Sequence, residues 1–226
     1  MFFPIGDTQV KGGHFPYLSY TFIGLNVVVF LYQQFLGQAQ GEVFIMEHAT
    51  IPDDIVNGRN HFTMFTSMFM HGGWMHLIGN MLFLWVFGDN IEATIGTGAF
   101  LIFYIAGGIA ASAAHILSDV TSTIPSLGAS GAIAAVLGAY LVMFPKSRIK
   151  VLFFFFFIRV FYMAAIFFLG IWIAMQLVPG ISQLGQSGEG GGVAWWAHIG
   201  GFAFGLLAGL LFRAWPGTNH RIKSFG

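Results

Sequence analysis

The sequence predicts an all-α polytopic membrane protein, a bundle of six transmembrane helices. Two observations carry that expectation. Of 226 residues, 56% are hydrophobic and 8% are charged, with mean hydropathy +0.76; a soluble domain carries about 25% charged residues. The apolar residues also fall into runs near the ~20 residues that a span needs. The formal net charge is zero, so nothing points to nucleic acid. There is no cysteine, which excludes disulfides, thiol catalysis and Cys-ligated metal.

Residues 1–18 form an N-terminal segment without the basic start and small-residue cleavage site of a signal peptide, so the first span is expected to be retained as an anchor. Spans are expected at 19–37, 73–91, 98–117, 130–144, within 151–178, and at 193–213, making a domain of 19–213 and a tail of 214–226. The long connections are 38–72, 118–129 and 179–192, the last Gly-rich. Lys11, Lys146, Arg148, Lys150, Arg213, Arg221 and Lys223 fall on one side of this topology and Arg59 on the other, which places both termini in the cytoplasm. Arg159, inside the fifth run, is expected to snorkel from its cytoplasmic end. The Phe run 153–157 reads as lipid-facing bulk, and Trp74, Trp195 and Trp196 read as an outer aromatic belt.

Polar groups recur at one depth. Counted from the cytoplasmic ends of the second, fourth and sixth spans, Ser130 lies about 21 Å up, His198 about 22 Å and His76 about 18 Å. Against a ~30 Å hydrocarbon core, the fourth span is too short to cross. The 118–129 connection must therefore dip in above it, which implies a water-filled outer cavity with Ser130 at a helix N-terminus. Gly131 and Gly138 on the fourth span, and Gly201, Gly205 and Gly209 on the sixth, allow close backbone packing. His198 precedes Gly201 by three residues and shares its face, so a Ser130–His198 hydrogen bond is geometrically reasonable, with the histidine as general base and then general acid. No carboxylate adjoins His198, so a dyad is expected, oriented by helix packing. His76 and Asn80 share a face four residues apart and, with the Ser130 backbone N–H, can form an oxyanion hole.

Each feature has a plainer reading. Ser130 alone reads as a small packing residue, and His76 with Asn80 as an interhelical hydrogen-bond pair. His71 suits a structural hydrogen bond, and His115 an interfacial or structural role. A zinc site from His71, His76 and His198 lacks any H-E-x-x-H string or nearby carboxylate. An aspartyl mechanism needs two carboxylates, and Asp89 is the one near candidate. The joint occurrence at matching depth favours catalysis, with no metal and no cofactor.

"HGGWMHLIGN" (71–80), "GDNIE" (88–92), "GASG" (128–131) and "AHIGGFAFG" (197–205) together resemble the rhomboid intramembrane serine proteases over about 135 residues. The resemblance implies Ser130 as nucleophile, His198 as base, and His76, Asn80 and the Ser130 backbone as oxyanion donors. It implies substrates that are single-span or polytopic membrane proteins, cut near the outer membrane boundary within the lipid bilayer. It also implies a lateral gate at the fifth span and the 179–192 loop, with Trp172 a candidate gate residue, and a bacterial plasma membrane. A non-catalytic relative that binds transmembrane helices is the second reading, and a transporter or channel the third. Two positions depart from the family pattern: "HFTMFTSMF" stands where many members carry a Trp-Arg pair, and Ala134 stands where many carry an aromatic against the catalytic histidine. Some other group must then support the His198 ring, or the ring is held more loosely.

Overall fold

Hydrophobic length sets most of the architecture. The computed structural model describes residues 2–8, 14–154, 158–182, 193–215 and 217–218. In chain order these form β1 (Phe2–Pro4), α1 (Tyr17–Phe35), α2 (Gly37–His48), α3 (Pro52–Val56), α4 (Thr63–Thr66) with a 3-10 turn at Ser67–Phe69, α5 (Trp74–Ile95), α6 (Thr97–Ser118), α7 (Ser130–Met143), β2 (Arg148–Phe154), β3 (Ile158–Ala164), α8 (Ala165–Ser182) and α9 (Trp195–Ala214). The protein is thus a mostly helical, integral multi-pass membrane protein, as the sequence predicts. Helices α1, α6, α8 and α9 are long and apolar enough to cross a membrane. Helix α5 has 22 residues, but His76, Asn80, Asp89, Asn90 and Glu92 dilute its apolar character.

Helix α7 has only 14 residues and sits at the centre, with every residue from Gly131 to Tyr140 buried. Its small residues, Gly131, Ala132, Ala134, Ala135, Gly138 and Ala139, let neighbouring helices close around it, which is what favours association in a bilayer. Its closest neighbour is α9, and the approach is backbone to backbone. A Cβ on Gly201 would overlap the carbonyl oxygen of Gly131, one on Gly205 that of Ala135, and one on Gly209 would lie 2.9 Å from Ala139 Cα. A Cβ on Gly138 would in turn overlap Phe202 O.

Helix α1 begins after Pro16 without a side-chain cap of its own. Glu92 of α5, fully buried, supplies one. It accepts from the N–H groups of Leu18 (3.0 Å) and Ser19 (2.9 Å), which would otherwise be orphaned at the helix start, and from the Ser19 hydroxyl. The acids of "GDNIE" therefore lie inside a helix that runs to Ile95, past the expected end at 91.

The fifth apolar run departs from expectation. Strands β2 and β3, 148–154 and 158–164, pair antiparallel, and only 165–182 are helical; 155–157 of the Phe run lie outside the described residues. With β1 paired to β2, this makes a three-stranded sheet in a protein expected to be all-α. The stretch is rich in β-branched and aromatic residues, which favour strands. Burial also alternates: Ile149 and Val151 are fully buried while Arg148 is exposed. Hydropathy sums over such a run cannot see a period of two. Arg159 accordingly lies exposed on β3 and does not snorkel from a helix, and Phe153 is a half-buried strand residue. The N-terminal segment is held at the same end, where Asp7 accepts hydrogen bonds from Asn90 of α5 and Tyr140 of α7.

The 38–72 connection is ordered by short polar ties. Thr50 pairs with Ser126 through two backbone hydrogen bonds of 2.9 and 2.8 Å, and its hydroxyl donates to Thr63 O and meets Ser67 Oγ. These anchor the "HFTMFTSMF" stretch as α4 and the 3-10 turn. The expected cap segment 179–192 lies outside the described residues from 183 onward, as do Lys11, Arg221 and Lys223.

Candidate active site

Ser130 is the first residue of α7, so its backbone N–H has no acceptor within the helix. The turn that delivers it needs a glycine at 128 for two reasons. Gly128 has φ +131°, a conformation that side chains disfavour. A Cβ there would also stand 2.8 Å from Cε1 and Nε2 of His76. The Gly128 N–H donates to Ser67 O at 2.9 Å, which ties this turn to the 3-10 turn below the outer connection.

His198 lies in the first turn of α9, three residues before Gly201. Because Gly201 lets α9 rest on the first turn of α7, the imidazole reaches the serine: His198 Nε2 to Ser130 Oγ is 2.8 Å. The other ring nitrogen, Nδ1, is 2.8 Å from Gln176 Oε1 on α8. The Trp172 ring lies 5.9 Å from the imidazole and the Trp195 ring 6.3 Å. Packing of the helix pair is thus not alone in orienting the histidine, as the sequence had suggested. An amide and two indoles surround the ring where Ala134 offers no aromatic. Sequence reasoning passed over Gln176, although one signal was present: a polar side chain inside the apolar run "IWIAMQLV", one turn after Trp172.

His76 and Asn80 lie on one face of α5 and line the same cavity, about 880 Å³, as Gly128, Ser130, Gln176 and His198. The Gly72 N–H points at His76 Nδ1 (3.4 Å), so Nδ1 accepts and Nε2, beside Gly128, is the nitrogen left to donate. Asn80 Nδ2 is buried without a partner among the described residues. Asn80, His76 and Ser130 thus line one cavity, and each carries an N–H free to donate within the described contacts.

The remaining candidates fall elsewhere. His71 packs edge-on against His76 at 5.0 Å, and its structural hydrogen bonds are made by its backbone, with the Gln33 amide. Burial, and then the neighbouring His76, push the His71 imidazole down to about 3, so it is neutral at physiological pH. Asp89 lies toward the opposite end of α5 from His76. Trp196 turns inward and donates its indole N–H to Gly180 O at 3.0 Å, so it and the half-buried Trp195 are not simply belt residues. Among the described residues, no three of His, Asp and Glu converge as a metal-ligand set.

A family model described as the Rhomboid domain matches residues 59–215 of the chain. The chain is 33% identical over 133 residues to "Rhomboid protease GluP" of Bacillus subtilis, which covers 59% of this chain and 26% of that protein. It is 30% identical over 196 residues to "Rhomboid protein 1, mitochondrial" of Saccharomyces cerevisiae, covering 85% of this chain and 52% of the other. It is 34% identical over 92 residues to the human "Presenilin-associated rhomboid-like protein, mitochondrial", covering 40% and 24%. The chain thus spans about half, or less, of the length of the relatives it matches.

Proposed function

The chain belongs to the rhomboid family, and we propose from this that it is an intramembrane serine endopeptidase acting through a Ser130–His198 dyad. One observation carries the reading: a serine hydroxyl at a helix N-terminus, 2.8 Å from a histidine nitrogen, on the wall of a cavity inside a membrane protein. An imidazole inside a membrane bundle is costly and marks a functional site by default, and here its partner is the serine hydroxyl.

In this reading His198 Nε2 takes the Ser130 proton as Oγ attacks the scissile carbonyl, forming a tetrahedral oxyanion. The Ser130 N–H, His76 Nε2–H and Asn80 Nδ2–H donate to that oxygen, each worth roughly 3–4 kcal/mol to the transition state. The imidazolium then protonates the leaving amine. Water from the cavity, activated by the same nitrogen, hydrolyses the acyl-enzyme and returns Ser130. Helices α7 and α9 are joined too closely to admit a substrate between them, whereas α8 is bordered by lipid-exposed side chains; we therefore assign the α8 side as the approach for a transmembrane segment.

Lys146, Arg148, Lys150 and Arg213 gather near the ends of α7 and α9 opposite Ser130, which supports a cytoplasmic location for that end and cleavage near the outer boundary. We propose this topology, with 19–213 as the catalytic domain, rather than a particular compartment, because the matched relatives carry bacterial and mitochondrial names alike.

The test is cleavage of a single-span substrate by the purified protein in detergent, wild type beside Ser130→Ala. Cleavage by wild type alone supports the dyad. Equal cleavage by both sinks it. Cleavage by neither, together with no fluorophosphonate labelling of Ser130, would favour a helix-binding relative instead.

A further inference from the structure

The outer half of α8 is peripheral. From Gly170 to Ser182 its buried residues are Gln176 and Gly180, while Ile171, Met175, Val178 and Ile181 are exposed. A buried amide in apolar surroundings is costly unless both of its halves are bonded. Both are: Gln176 Nε2 lies 3.0 Å from Trp172 O, and Oε1 lies 2.8 Å from His198 Nδ1.

These two contacts fix a proton. A backbone carbonyl only accepts, so the amide nitrogen must face Trp172; the flipped amide would oppose two oxygens. The oxygen facing His198 also only accepts, so Nδ1 must be the protonated ring nitrogen. In the neutral ring the lone pair then sits on Nε2, 2.8 Å from the Ser130 hydroxyl. We propose that Gln176 is a positioning residue that holds His198 in the Nδ1–H tautomer, the one able to take the Ser130 proton. This rests on the protease reading above. A carboxylate does the same task in a triad, but an unpaired carboxylate would be expensive at this depth. An uncharged amide supplies the acceptor without burying a charge, and its dipole still favours the imidazolium that forms in the reaction.

The test replaces Gln176 with leucine, which is similar in size and has no acceptor, and with glutamate, whose protonated carboxyl keeps an acceptor for His198 Nδ1 and a donor for Trp172 O without burying a charge. With the full chain and a single-span substrate, Gln176→Leu is expected to lower kcat about 10-fold or more, out of the ~10²–10⁴ that general acid–base catalysis supplies. KM and the thermal midpoint should hold, and Gln176→Glu should recover most of the rate. Wild-type kcat in Gln176→Leu overturns the proposal. So does a joint loss of kcat, KM and thermal midpoint without recovery by glutamate, which would mark a structural tie between α8 and α9. Nitrogen NMR of histidine-labelled protein reads the tautomer without turnover. His198 should carry its proton on Nδ1 in wild type and become a mixture in Gln176→Leu, and a ring protonated on Nε2 in wild type overturns the assignment. An inactive wild type with an Nδ1–H ring would count against the protease reading while supporting the assignment of Gln176.

Discussion

Helices α7 and α9 and helix α8 meet at one histidine and are built by opposite rules. In the first pair, glycines face backbone: a Cβ at Gly201, Gly205 or Gly138 has no room. On α8, a Cβ at Gly170 would meet nothing within 4 Å, and the helix shows Phe167, Met175 and Val178 to its surroundings. Ser130 and His198 thus stand on a pair whose spacing is set by main-chain contact, which cannot be adjusted by rotamer changes. The groups that hold the imidazole ring, Trp172 and Gln176, ride on a helix with few buried neighbours of its own. Lipid tails are as apolar as leucine, so association inside a bilayer depends on close packing rather than on hydrophobic burial. The glycine-lined pair should therefore be the stable part and α8 the movable one.

The comparison can be sharpened by substitution. The largest effect expected is on chemistry: Ser130→Ala should lower cleavage about 10⁴-fold or more while leaving unfolding in SDS unchanged, because it deletes one oxygen from a helix end and no packing contact. A large loss of stability would mean that the hydroxyl helps hold α7 to α9. Asn80→Ala should cost about 10²-fold in kcat with KM held, since among the described residues its Nδ2 has no hydrogen-bond partner to lose; a rise in KM alone would point to substrate binding instead. Gly205→Ala pushes a methyl against Ala135 O and should destabilise by about 1–3 kcal/mol in an SDS titration, with cleavage falling as the dyad is spread. The matched change on the other helix, Gly170→Ala, should be the smallest, neutral or stabilising by about 0.5–1 kcal/mol through helix propensity. Equal effects at 205 and 170 would abolish the distinction between the two regions.

Particular residues show what was legible in advance. Gly131, Gly138, Gly201 and Gly205 were readable because small residues at helical spacing have one common use in a membrane. That Ser130, His198, His76 and Asn80 face one cavity was readable because polar groups in apolar runs are few and their positions along the helices can be counted. Gln176 was overlooked although it obeys the same logic, since it lies near the end of the fifth run, which was read as a span and lateral gate with Trp172 as its one candidate residue. The paired strands β2 and β3 were not legible from hydropathy: Ile149, Val151 and Phe153 are as apolar in a strand as in a helix, and the run was long enough to pass for a span.

Composition and spacing by themselves determined that the chain lives in a membrane as a helical bundle, and which polar residues lie at one depth. Those follow from transfer energies and helical rise, which are local properties. The tertiary structure alone decided which nitrogen of His198 faces Ser130, which group holds the other, and that Glu92 caps a helix 73 residues away in the chain. Such pairings depend on how helix axes cross to within an ångström, and that is set by the summed packing of many residues rather than by any one stretch of sequence.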